Sequence, residues 1–243
     1  MTTILDALQK GTGYFEKHGV ESARLNMQLL LAHVLDCDKT QLYVDFDNAL
    51  TEPELEMLRG LLRKRIAGHP LQHLIGTVDF FEHEFACDAR ALIPRPETEM
   101  LVELLLEMCW PDPLRVLDMG CGTGVIGLSL GAVLKDERAE LSVTLADISP
   151  DALTLAKENA ERIGKAVMGF ELNFVQSDLF DSIEGEFDLI AANLPYLSDS
   201  DMDELQTEVK HDPALALHGG KQGTELSHRF RAEAFSRLAE DGV

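Results

Sequence analysis

The chain has 243 residues, 45% of them hydrophobic and 26% charged, and 21 Lys+Arg against 43 Asp+Glu give a formal charge of −22. That length holds one large domain, or one domain with a small companion. So acidic a chain is poorly suited to wrapping a nucleic-acid backbone, where affinity comes mostly from phosphate neutralisation, or to lying on an anionic membrane.

The first part reads as helical. Apolar spacing predicts helices over Ile4–His18 and Ala23–Leu35, the latter with Leu25, Leu29, Leu30 and Val34 on a helical period. A third starts at Thr51-Glu-Pro-Glu, with Thr51 or Glu52 as cap and Pro53 in the first turn. It runs to Ala67, where Gly68-His69-Pro70 stops it. Thr77–Phe81 and Glu84–Cys87 flank a short polar turn and predict a hairpin, and Pro94 and Pro96 precede a helix over Glu97–Cys109. From Leu114 strands and helices alternate. Strands are expected at Arg115–Leu117, Leu141–Ala146, Phe170–Val175 and Phe187–Ala192. Helices fall between them, one capped by Ser149, and a last helix lies at Arg229–Leu238. Such alternation predicts an α/β fold with a mostly parallel sheet and a ligand at the carboxyl ends of its strands.

Charge divides unevenly along this course, with a net −5 over residues 1–90 and −17 over 91–243. No apolar run reaches the ~18–20 residues of a membrane span, and the N-terminus lacks the layout of a secretory signal. Cys37, Cys87, Cys109 and Cys121 form no CxxC, which fits free thiols in a reducing, cytoplasmic setting. His69 and His73 are four apart but Pro70 stands between them and no third ligand follows, so no metal is expected. The acidic run Asp199–Glu204 lacks the glycine of a calcium loop and reads as a solvated loop.

The segment Asp118-Met-Gly-Cys-Gly-Thr-Gly124 leaves a strand and opens a helix. Its glycines allow a sharp turn and let a ligand approach main-chain N–H groups at a helix N-terminus. Two cofactors compete for this pattern. Gly122-Thr-Gly-Val-Ile-Gly127 with Asp147 twenty residues on is also the dinucleotide fingerprint, which would make the chain an NAD-dependent dehydrogenase. Asp118 directly before the glycines instead suits the amino group of S-adenosylmethionine. Asp147 would then take the ribose hydroxyls and Asp178 the adenine amine.

The fourth strand ends in Asn193-Leu194-Pro195-Tyr196. Methyl transfer is an in-line displacement, so the nucleophile's lone pair must be aimed at the methyl. An amide or aromatic amine nitrogen is a poor nucleophile because its lone pair is delocalised. The Asn193 side-chain carbonyl and the Leu194 main-chain carbonyl can both accept from one NH₂ group, which orients the nitrogen and stabilises its growing positive charge. Tyr196 is expected to stack on the planar group and exclude water. No strong general base is required, since the proton becomes acidic once the methyl has arrived.

From about Ala23 onward the chain resembles the bacterial release-factor glutamine methyltransferases of the PrmC/HemK family. The resemblance rests on Gly68-His-Pro-Leu-Gln-His-Leu-Ile-Gly76, Leu92-Ile-Pro-Arg-Pro-Glu-Thr-Glu-Met-Leu-Val-Glu103, the Asp118–Gly124 loop and Ala146–Leu153. It also rests on Asn193–Tyr196 and the stretch Glu208-Val to Gly220. The Leu92–Glu103 block is the most discriminating. The resemblance implies a Rossmann-like class I methyltransferase domain over 92–243, preceded by a small all-α substrate-docking domain over 1–75 and a β-hairpin linker over 76–91. It implies methyl transfer from S-adenosylmethionine, leaving S-adenosylhomocysteine, to the side-chain amide (N5) of the glutamine in the Gly-Gly-Gln motif of peptide-chain release factors. Carried over, Asp118, Gly120, Cys121, Gly122, Thr123, Gly124, Asp147, Asp178 and Leu179 hold the cofactor together with Asn193, while Asn193, Leu194, Pro195 and Tyr196 clamp the acceptor. The Gly-Gly-Gln domain must later meet ribosomal RNA and is expected to be basic, so the acidic catalytic part would steer it in.

Three departures stand out. Leu194 replaces the first proline of the usual Asn-Pro-Pro-Tyr, Glu82 sits where the hairpin usually has glycine, and the chain ends at Glu240-Asp-Gly-Val where closing strands of the sheet are expected. Asn-Leu-Pro-Tyr is also the form seen in rRNA adenine dimethyltransferases. An rRNA or DNA adenine N6-methyltransferase is therefore the chemical alternative, against which stand the Leu92–Glu103 block and the charge.

Overall fold

A computed structural model describes residues 1–243, which divide into two compact units: Met1–Gly76 with Thr207–His211, and Thr77–Gln206 with Asp212–Val243. The first is helical: α1 (Ile4–Lys17), α2 (Ala23–Leu35), α3 (Lys39–Val44), α4 (Glu52–Ile66) and α5 (Leu71–Ile75). Thr3 and Thr51 close capping boxes with Asp6 and Glu54, each pair satisfying two backbone N–H groups that a helix start leaves open. Two short helices are additional to the sequence expectation. Asp38 caps α3 by accepting from the Gln41 N–H at 2.8 Å, and Pro70 caps the start of α5 rather than only stopping α4. Six and five residues are too few to show a period.

The unit's core is Ile4, Leu8, Phe15, Met27, Leu30, Leu31 and Leu42. Beside it lies a polar knot around Arg65, which is 6% exposed. Its guanidinium donates to Asn26 Oδ1 at 2.7 Å and His69 O at 3.2 Å, and pairs with Glu208 at 2.7 Å. The His69 and His211 rings lie 4.2 Å apart, so the Thr207–His211 segment is held by the same cluster.

The second unit opens with the hairpin β1 (Thr77–Phe80) and β2 (His83–Ala86), whose turn places Phe81 at φ 42° and Glu82 at φ 65°. A two-residue hairpin turn of this hand needs positive φ at both positions. Glu82 adopts it without being glycine, and Glu99 secures the turn by accepting from the Phe81 N–H at 3.1 Å. Helix α6 (Pro96–Leu106) begins at Pro96 and stops short of Cys109, because the Trp110 indole N–H donates to Leu105 O at 2.8 Å.

The sheet runs β5-β4-β3-β6, all parallel: β3 (Leu114–Met119), β4 (Leu141–Asp147), β5 (Glu171–Gln176) and β6 (Leu189–Ala192). Helices α7 (Val125–Leu134) and α8 (Pro150–Ile163) follow β3 and β4, with Ser149 capping α8. Because the chain goes from β3 outward to one side and later returns to β3's other side as β6, the carboxyl ends of β3 and β6 diverge into a crevice. Val116, Val143, Leu145, Leu128 and Leu130 form the core under it, all fully buried.

Two later elements also differ from the sequence expectation. The acidic run is a helical turn, α9 (Asp199–Asp203), closed by a capping box from Ser198 to Asp201. The last helix is α10 (Glu225–Ala234), four residues earlier than the periodicity suggests. Gly223 at φ 78° makes the turn before it and Glu225 accepts from the Gln222 N–H at 3.0 Å, so the helix starts there. Beyond it the chain passes through turns and hydrogen-bonds beside β6, with Phe187 N–H donating to Arg237 O at 2.8 Å and Ile190 N–H to Val243 O at 2.8 Å.

Candidate active site

Strand register brings the motifs together. Met119 pairs with Ala146 on one side and Ala192 on the other, and Asp147 pairs with Gln176. The residues that follow, Gly120, Asp147, Ser177-Asp178 and Asn193, therefore all leave the sheet at one edge. Segments more than seventy residues apart in the chain become neighbours because parallel strands end level with one another.

The glycine loop turns back at once: Gly120 and Cys121 both donate their N–H to Ala146 O, at 2.8 and 3.0 Å. Gly120, Gly122 and Gly124 have φ of 71°, 54° and 83°, a region that side-chain-bearing residues enter at a cost of roughly 1–2 kcal/mol. At Gly124 a Cβ would also stand 3.0 Å from Leu128 and 3.2 Å from Ala156. Asn159, fully buried on α8, braces the loop: its Nδ2 donates to Thr123 O at 2.9 Å and to Ala86 O at 3.1 Å, while its Oδ1 accepts from the Ala86 N–H at 2.6 Å. One amide thus ties the loop to the hairpin.

A cavity of about 390 Å³ lies over this edge. Gly120, Cys121, Gly122, Thr123, Asp147, Asp178, Leu179, Asn193, Leu194 and Pro195 line it. Asp147 is half-buried, and its two oxygens accept from the N–H groups of Gly122 and Ser149, each at 2.9 Å. Burial raises its carboxyl above the ordinary range against the pull of those N–H bonds. Each oxygen retains a lone pair, which suits a diol. Leu179 is held at φ 47° by Ser177, whose hydroxyl donates to Leu179 O at 2.6 Å and accepts from the Ser182 N–H.

Not every expected residue offers a free group to the cavity. Asp118 is fully buried beneath the loop and outside the cavity lining. One oxygen accepts from the Gly127 N–H at 2.9 Å and the other meets no donor, and burial pushes the carboxyl up to about 7. Its place in the structure is under the loop rather than on the cavity wall, because Gly127 leaves room for it: a Cβ there would lie 3.1 Å from Asp118 Cβ. Gly124 serves as the cap of α7, behind the lining. Asp178 is engaged by Arg229 at 3.2 Å. Tyr196 is 71% exposed and does not line the cavity, so no aromatic lid covers Asn193 within this chain. The Cys121 thiol is buried, which pushes its pKa well up and leaves it inert.

Several residues that line or support the site carried no signal of their own in the sequence. The Asn193–Tyr196 turn rests on the backbone of a later segment: Leu197 N–H donates to Leu217 O at 3.0 Å and Gly219 N–H to Leu197 O at 2.9 Å. The approach is so close that a Cβ at Gly219 would sit 2.5 Å from Pro195 O, and one at Gly223, 2.3 Å from Tyr196 O. Arg95, on the cavity wall, pairs at 2.8 Å with Asp212, which is 5% exposed. Thr98 accepts from Asn193 Nδ2 at 3.3 Å. The glycine pair at 219–220 and the Arg95–Thr98 stretch fall inside blocks that carry the family resemblance, which was the available clue.

The arrangement offers a glycine-turned cradle and an acid for a nucleoside-bearing cofactor, next to a carbonyl-rich turn for an acceptor group. Comparison with known proteins agrees. The family model for the PrmC N-terminal domain matches residues 6–76, and that for the methyltransferase small domain matches residues 96–219. A release factor glutamine methyltransferase of Deinococcus radiodurans is 37% identical over 99% of this chain and 84% of its own length. One of Rhodopirellula baltica is 36% identical over 99% and 81%, and one of Geobacter sulfurreducens 39% identical over 92% and 76%. A glycine loop at the switch point of a parallel sheet, the Asn-Leu-Pro-Tyr turn beside it and these near full-length likenesses converge. The chain is a methyltransferase and belongs to the family of release factor glutamine methyltransferases.

Proposed function

We propose that the protein transfers a methyl group from S-adenosylmethionine to the side-chain amide nitrogen of the glutamine in the Gly-Gly-Gln motif of a peptide-chain release factor. The observation that carries this reading is the level ending of β3 and β6, which sets Asn193 beside the Gly120–Thr123 stretch of the glycine loop on the cavity wall. The residues present fit the cofactor. Asp147 offers free lone pairs to a ribose diol, Leu179 and Ile148 offer apolar walls to a base, and Asp178 stands near as an acceptor already shared with Arg229. When bound, S-adenosylmethionine supplies a methyl on a positively charged sulfur.

The chain's own work is orientation. Asn193 Oδ1 accepts one N–H of the acceptor amide and the Leu194 carbonyl accepts the other. The two bonds draw the nitrogen lone pair out of conjugation and aim it along one line. Leu194 in place of proline keeps that carbonyl, since every residue has one. Its side chain packs toward the glycine loop, 3.0 Å from where a Gly120 Cβ would be. As the new bond forms, positive charge grows on the nitrogen, and both carbonyl dipoles stabilise it. No side chain need remove the proton beforehand. Tyr196, exposed at the rim, is available to the incoming release factor and its glutamine rather than to this chain's own core.

The test is direct. The purified protein, methyl-labelled S-adenosylmethionine and a release factor should give methylated glutamine by mass spectrometry, and no label should enter a release factor whose Gly-Gly-Gln glutamine is replaced. Label entering only ribosomal RNA adenine would overturn the reading.

A further inference from the structure

Thr98 is a polar residue with no evident business in its place. It is the third residue of α6, 7% exposed, and its hydroxyl oxygen receives the Asn193 Nδ2 hydrogen from a turn ninety-five positions later. A primary amide has a donor end and an acceptor end of nearly the same shape. Which end is tied down therefore decides what the other presents to a ligand. With Nδ2 committed to Thr98, Oδ1 is the end left to the cavity. Rotated by half a turn, Asn193 would offer an NH₂ group to the NH₂ of an acceptor, and two donors cannot bond. Thr98 itself is buried, so its hydroxyl is held in place for this bond although Asn193 is exposed.

We propose that Thr98 is a positioning residue that sets the amide orientation of Asn193, and so restricts the site to acceptors that bring N–H groups. Its place in the first turn of α6 suits this: Pro96 fixes the start of the helix, and the Arg95–Asp212 pair anchors the residue before it. The inference rests on the methyl-transfer reading for its kinetic consequence but not for the hydrogen bond itself.

Two variants test it. Thr98→Val keeps the shape and removes the hydroxyl; Thr98→Ser keeps the hydroxyl. Side-chain amide proton exchange of Asn193, followed by NMR and assigned through its loss in Asn193→Asp, should quicken about tenfold in the valine variant and return toward wild type in the serine variant. With release factor as acceptor, kcat should fall about tenfold or more in Thr98→Val, while KM for the cofactor and calorimetric affinity for S-adenosylhomocysteine stay within about twofold. Serine should restore kcat. Unchanged exchange in Thr98→Val overturns the proposal, as does unchanged kcat. Equal losses of stability and cofactor-product affinity in both variants would assign Thr98 to packing alone and overturn it too. If the wild type leaves the glutamine unmethylated, the methyl-transfer reading fails, and the exchange experiment still decides the Thr98–Asn193 contact.

Discussion

Asn193 and Asp147 illustrate how differently two site residues are built. Asn193 opens onto the cavity with one end of its amide tied to Thr98, so its removal should leave the fold intact. Asn193→Ala is expected to lower kcat by roughly 10²-fold in the methylation assay with little change in melting temperature. Asp147 also holds the N–H groups of Gly122 and Ser149, so Asp147→Ala should loosen the loop as well as remove a ligand group. Calorimetry should show affinity for S-adenosylhomocysteine falling by about tenfold or more. Asp118 contributes through its charge state. Burial raises its carboxyl from 3.8 to about 7, so between those values the folded protein retains a proton that the unfolded chain has released. Stability from this group is present below pH 3.8 and is lost as pH rises toward about 7. Denaturant titrations of wild type and Asp118→Asn across that window should show the wild type losing more stability with rising pH. Equal slopes would mean that Asp118 is ionised throughout.

At the scale of elements, two side chains hold structure together where backbone pairing cannot. Asn159 joins α8 to the end of β2 and to the glycine loop by three hydrogen bonds. Asn159→Ala strands buried backbone groups and is expected to cost about 2–4 kcal/mol in chemical denaturation, with weaker binding of the cofactor product because Thr123 is released. The hairpin turn is the opposite case. Glu82 sits at φ 65°, so Glu82→Gly relieves strain and should stabilise the protein by about 0.5–1 kcal/mol, raising the melting temperature by roughly 1–4 °C. The periodic helices α1, α2 and α4 and the strands β3 and β4 were readable as residue patterns, since each presents one face to a core or is buried on both. Helices α3 and α5 were not, being only a turn or so long. Helix α10 was misplaced because its start is set by Gly223 and Glu225, and its end by the chain's turn toward β6.

For the whole molecule, the charge of −22 that first excluded nucleic-acid wrapping acquires a use. Most of it lies after residue 90, in the unit that carries the cavity. If the acceptor is a basic release-factor domain, long-range attraction speeds encounter, and salt screens it beyond a Debye length of about 8 Å at physiological ionic strength. kcat/KM for release factor should therefore fall steeply as salt is raised, while kcat changes little. A salt-independent kcat/KM would remove steering from the account. From the sequence alone came the α/β class, the parallel sheet, the glycine loop with its Asp147 partner and the Asn193–Tyr196 turn. These are local: residue identity, spacing and hydrophobic period determine them. The tertiary structure decided that Asp118 lies beneath the loop, that Tyr196 faces outward, and that Thr98, Asn159, Gly219 and Gly223 support the site. Such contacts join positions up to about a hundred residues apart, and the packing of helices, hairpin and loops around the parallel sheet, not any pattern along the chain, brings them together.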